Sequence, residues 1–97
     1  MKLVLIAYNE AVDAEVLELL DAAGAVGYTQ WTQVLGKGRT SGPHLLSHIW
    51  PKGNNVLFAV VEDGLARELM EAAGRLRRTA GREGIKAFVL NVEDQLG

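Results

Sequence analysis

Leu19-Leu20-Asp21-Ala22-Ala23-Gly24 is echoed fifty residues later by Leu69-Met70-Glu71-Ala72-Ala73-Gly74. Leu3-Val4-Leu5-Ile6-Ala7 is echoed in the same way by Val56-Leu57-Phe58-Ala59-Val60. The second half of the 97-residue chain therefore repeats the pattern of the first. Each half opens with an apolar run of strand length and continues at helical spacing.

In the first half, Leu3 to Tyr8 is rich in branched residues and reads as a buried strand. Asn9 then caps a helix, because its short side chain can accept a hydrogen bond from a free N–H of the first turn. Val12, Val16, Leu19, Leu20 and Ala23 fall on one apolar stripe, while Glu10, Asp13, Glu15, Glu18 and Asp21 take the other faces. Gly24 ends the helix, since glycine enters the left-handed region at little cost. Val26 to Leu35, with Tyr28, Thr29, Trp31, Thr32 and Val34, predicts a second strand.

The second half follows suit. Val56 to Val61 reads as a strand, Asp63 as the cap of a helix carrying Leu65, Leu69, Ala73 and Leu76, and Ile85 to Val92 as the last strand. Gly74 interrupts that helix at a cost of about 1 kcal/mol relative to alanine, and Gly81 is its expected stop. Two βαβ units in tandem predict an α+β fold, the ferredoxin-like βαββαβ plait. Its four-stranded antiparallel sheet has both helices on one face and a long loop between strands 2 and 3. The other sheet face, around Tyr28 and Trp31, is left bare and calls for a partner subunit.

The chain is long enough for one domain, expected over 1–97, and too short for two. Ten basic residues against twelve acidic ones leave a net charge of −2, with no general attraction to nucleic acid or anionic membrane. No cysteine is present, which removes disulfides, thiolate metal sites and cysteine nucleophiles. No apolar run approaches the ~20 residues needed to span a bilayer. Met1-Lys2-Leu3-Val4-Leu5-Ile6 meets Tyr8-Asn9-Glu10 too soon for a signal peptide, so a cytoplasmic protein is expected.

No nucleophile, base and orienting group come together in the sequence, so an enzyme is not expected. Gly36 to Asn55 holds four glycines, two prolines and two serines without a sustained period, a loop of a length that usually carries function. It opens with Gly36-Lys37-Gly38-Arg39-Thr40-Ser41-Gly42. Glycines there would let backbone N–H groups approach a phosphate, and Lys37 and Arg39 would neutralise it. The spacing is not that of a Walker loop, and an ordinary loop is the competing reading.

Arg75, Arg77, Arg78, Arg82 and Lys86 form a second basic group. Complementing the helix dipole accounts for two or three of them but not for Lys86 in the last strand. Across a subunit boundary the two groups would make one anion pocket. His44 and His48 could share one face of a helical turn at metal-ligand spacing, or pack beside Leu45, Leu46 and Trp50. Leu45, Leu46, Ile49 and Trp50 form the apolar part of the loop, which reads either as an anchor packed on the fold or as a partner-binding surface.

With these residues in view, the chain resembles the PII signalling family, in its short PII-like branch. The likeness rests on the βαβ-loop-βαβ order, on Gln33-Val34-Leu35-Gly36-Lys37-Gly38-Arg39 leading into the loop, and on the stretch from Thr79 to Val89. It implies a homotrimer with its sheets facing inward and a loop over about 36–55 that acts as the partner-binding T-loop. A B-loop from Thr79 to Lys86 would cover a nucleotide held between subunits. The implied ligand site is Gly36, Lys37, Gly38, Arg39, Thr79, Arg82 and Lys86, its ligand a small anion such as an adenine nucleotide. The implied target is another protein, a membrane transporter among the candidates.

Ala80, Arg82 and Ile85 stand where the family carries small residues. Residues 36–55 hold no tyrosine for uridylylation, and the chain stops at Gly97, before an arginine-bearing tail. Fold and trimer are thus implied more strongly than ATP and 2-oxoglutarate sensing. CutA-like ion-tolerance proteins share the trimeric plait, and in that alternative His44 and His48 bind a divalent metal.

Overall fold

A computed structural model of the protein describes residues 1–36, 53–80 and 84–97. Its elements are β1 (Lys2–Asn9), a 3-10 turn (Glu10–Val12), α1 (Asp13–Ala23), β2 (Thr29–Val34), β3 (Asn54–Val61), α2 (Asp63–Ala80) and β4 (Ile85–Asn91). The strands form one sheet in the order β2-β3-β1-β4, with every neighbouring pair antiparallel. This is the ferredoxin-like plait that the internal repeat predicts.

Alternation along the strands divides the sheet into two faces. Val4, Ile6 and Tyr8 of β1 lie opposite Ala59, Leu57 and Asn55 of β3, and all six are buried. On the other side of β1, Ile85 and Ala87 of β4 continue the same face. Val16 and Leu20 of α1 and Ala66 and Leu69 of α2 close over it to form the core. Leu20, Leu57 and Leu69 are each at most 2% exposed. Burying a side chain of this kind contributes about 1.5–3 kcal/mol.

The opposite face is apolar and bare. Phe58, Leu5 and Phe88 form one row across β3, β1 and β4, and Val60, Leu3 and Leu90 form the next. Trp31 of β2 joins them, its ring centroid 5.6 Å from that of Phe58. Trp31, Phe88 and Leu90 are each about half exposed. Large apolar side chains ranked in this way across an open sheet mark an interaction surface.

The helix ends follow the sequence signals only in part: Asp63, expected as the cap of the second helix, is its first residue, with the Ala66 N–H bonded to Glu62 O at 2.9 Å. Asn9 accepts the Ala11 N–H over 2.8 Å, but the turn it caps is 3-10, and α1 proper begins only at Asp13. Gly24 takes φ 87, and its N–H reaches Asp21 O at 3.1 Å while that of Ala25 reaches Leu20 O at 3.0 Å. Helix α2 runs through Gly74 without a break. Its expected stop at Gly81 lies outside the described residues.

Strand β2 is shorter than the sequence suggests. Val26 and Leu35 lie beyond it and are almost fully exposed, because β2 is an edge strand whose pairing with β3 extends only from Thr29 to Val34. Strand β3 is longer, since Asn54 and Asn55 find partners in Asn9 and Tyr8 of β1.

Candidate functional site

At one end of the sheet β1 and β2 finish while β3 and β4 begin. Val34 pairs with Asn54, Asn54 with Asn9, and Tyr8 with Ile85. Gly36, Gly53, Lys86 and the C-terminal turn of α2 with Thr79 therefore belong to the same end of the molecule. Within one chain they are not neighbours. Gly36 follows one edge strand and Lys86 lies in the other, with β3 and β1 between them. Three strand spacings amount to roughly 14 Å.

Thr79 is still helical, and its hydroxyl donates to Leu76 O over 3.1 Å. Lys86 is exposed on the bare face opposite Ala7. Arg77, counted above in the second basic group, donates Nε to Ile85 O at 3.1 Å and ties the end of α2 to the start of β4. Met70, Ala73, Gly74, Arg77 and residues 85–88 line a groove of about 360 Å³ between these two elements. It is an apolar trough with cations at one end.

Lys37, Gly38, Arg39 and Arg82 lie outside the described residues, as do His44, His48, Leu45, Leu46, Ile49 and Trp50. Among the described residues no three His, Cys, Asp or Glu side chains are grouped to hold a metal ion.

What sequence reasoning missed is a polar cluster beneath this end of the sheet. Because the 3-10 turn delays α1, Asp13 sits at the helix start beside the last residues of β1. Its Oδ1 accepts from the Tyr8 hydroxyl at 2.7 Å, from Gln30 Nε2 at 2.8 Å and from Asn55 Nδ2 at 3.2 Å. Gln30 Nε2 also lies 2.8 Å from the Tyr8 oxygen. Burial pushes the Tyr8 phenol up to about 12, and the Asp13 carboxylate it donates to adds to the shift.

Asn55, only 4% exposed, passes the cluster on to the backbone, since its Oδ1 accepts the Gln33 N–H at 3.3 Å. Gln33 has φ 58, the one positive value at a non-glycine residue among the described residues, and sits where the β2–β3 register shifts. Its side chain donates to Glu10 Oε1 at 2.7 Å. The Glu10 N–H in turn bonds Gly53 O at 3.1 Å. A Cβ at Gly36 would lie 3.1 Å from Asn54 Nδ2, so the two chain segments leave the sheet in close contact.

One signal could have revealed this cluster. Asn55 is in phase with Leu57, Ala59 and Val61, and a polar residue in phase with a buried stripe needs polar partners.

A family model described as nitrogen regulatory protein P-II matches residues 1–96, and the chain belongs to that family. It is a PII-like regulatory protein. Among solved structures it is similar to CPII, a nitrogen regulatory PII-like protein from Thiomonas intermedia K12. One CPII structure, bound to ADP, AMP and bicarbonate, is 22% identical with a TM-score of 0.73, over 99% of this chain and 93% of that one. Another, bound to ADP and bicarbonate, is 26% identical with a TM-score of 0.68, over 91% and 81%. A protein from Thermus thermophilus with a provisional PII-like signalling assignment is 25% identical, with a TM-score of 0.66 over 94% and 84%. No curated protein matches the chain significantly.

Proposed function

We propose that the protein is a non-enzymatic, cytoplasmic homotrimer, one domain per chain. It binds an adenine nucleotide between subunits and uses the segment over about 36–55 to control a partner protein. The carrying observation is the separation of Gly36 and Lys86, which share one end of the sheet but follow opposite edges of it. A pocket drawing on both needs the β2 edge of one copy beside the β4 edge of another. The bare apolar face supports the same assembly, because packing sheets inward would cover Trp31, Phe58, Phe88 and Leu90.

In this reading Gly36, Lys37, Gly38 and Arg39 of one subunit and Thr79, Arg82 and Lys86 of the next surround the phosphates. Lys37, Arg39, Arg82 and Lys86 supply positive charge, and the glycines give backbone access. Leu45, Leu46, Ile49 and Trp50 form the partner-facing arm, with a membrane transporter as one class of target. The ADP and AMP held by CPII favour an adenine nucleotide as the ligand.

Native mass measurement of protein purified without chelator, alone and with ATP, ADP, AMP or zinc added separately, tests the proposal. A trimer gaining up to three nucleotides is expected. A trimer that takes up only zinc would move the site to His44 and His48, and a monomer that binds nothing would overturn the reading.

A further inference from the structure

We infer that Asp13, acting through Asn55, is a positioning residue that holds Gln33 in the left-handed conformation and so sets where Gly36 and Gly53 stand at the sheet end. The inference rests on the nucleotide reading above, because Gly36 belongs to the proposed ligand set. A non-glycine residue at φ 58 persists only where its surroundings over-determine it.

Here a chain of hydrogen bonds does so. The Tyr8 hydroxyl and Gln30 Nε2 fix Asp13 Oδ1 from β1 and β2. Asp13 orients the Asn55 amide at 3.2 Å, and Asn55 Oδ1 accepts the Gln33 N–H at 3.3 Å. Asn55 is buried, so water is poorly placed to replace either bond. The left-handed Gln33 brings its Cα to 3.4 Å from the place a Cβ would take on Gly53, and Gly53 O is held by the Glu10 N–H. One carboxylate on α1 thus governs a backbone angle in β2 and, through it, the approach of the two segments that flank residues 37–52.

The test compares the wild type, Asn55→Ala, Asp13→Ala and the double change Asn55→Ala with Gln33→Gly. Two quantities are read: ADP affinity by calorimetry, and hydrogen exchange of the Glu10 amide, which reports whether Gly53 stays docked. Both single alanine variants should lose ADP affinity by about tenfold and lose protection at Glu10. Gln33→Gly in the Asn55→Ala background should restore both, since glycine takes a positive φ unaided.

A merely structural role would lower the melting temperature, leave the affinity within about twofold and show no rescue, and that result overturns the inference. Asp13→Ala behaving as wild type overturns it as well. If wild-type protein binds no ADP, the nucleotide reading fails and the Glu10 amide alone decides. Rescue of its protection by Gln33→Gly upholds the positioning role, and absence of rescue ends it.

Discussion

Gln33 and Gly53 pack against each other where β2 and β3 meet the sheet end. A Cβ on Gly53 would lie 3.2 Å from Gln33 Oε1 and 3.4 Å from Gln33 Cα. The first contact is tight and is relieved only if a side chain also bonded to Glu10 gives by a few tenths of an ångström; the second is an ordinary van der Waals contact. Gly53→Ala should therefore cost no more than about 1 kcal/mol, read as a slightly lower urea midpoint with an unchanged slope.

Two glycines at helices should respond in opposite directions. Gly24 has φ 87, where a Cβ is strained even though nothing lies within 4 Å of it, so Gly24→Ala should destabilise by about 1 kcal/mol. Gly74 lies inside α2, and a Cβ there would meet only the Arg78 side chain of the same helix, its Nη1 at 3.8 Å, an ordinary contact. Gly74→Ala should stabilise by about 1 kcal/mol. Thermal unfolding of the pair checks both signs.

The Tyr8 phenol predicts an alkaline limb in stability. In the fold its pKa is raised from 10.0 to about 12, so the folded protein keeps a proton that the unfolded chain releases earlier. Below pH 10 both states are protonated and the contribution is complete. From pH 10 to about 12 it is lost as pH rises, and it does not change further above that. Tyr8→Phe should cost about 1 kcal/mol at neutral pH and should lack this limb. The difference in unfolding free energy between the two proteins across the alkaline range gives the measurement.

The bare sheet face predicts how assembly fails. Phe88 is half exposed in the row that runs through Leu5 and Phe58, and a carboxylate there would be buried unpaired in an inward-facing trimer. Phe88→Glu should reduce the mass in solution to one third while leaving the far-ultraviolet circular dichroism of the chain intact. A mass that stays at that of the wild type would remove this face from the interface.

Much of this architecture is legible in local pattern. The echo of Leu19–Gly24 in Leu69–Gly74 announces two equivalent units, and the stripe through Val16 and Leu20 is the face that α1 buries. Gly24 acts as written and Asn9 caps the 3-10 turn that leads into α1, because capping depends on residues within a turn of one another. The Tyr8–Asp13–Asn55 cluster is not legible in this way. Tyr8 looks like the end of an apolar run, Asp13 like a solvated helix residue and Asn55 like the end of a loop. They become one site only when β3 lies against β1 with Asn55 opposite Tyr8, 47 positions apart in the chain.

The sequence by itself determined the order of elements, the face that each strand and helix buries, and the bare second face of the sheet. Side-chain direction repeats with the backbone's own period, so these properties need no distant partner. Tertiary structure alone decided the register of the strands and the local irregularity in β2. It thereby decided that Asn55 gains polar neighbours and that Gln33 is held left-handed. Those outcomes depend on which remote segments come together, and local periodicity carries no record of that.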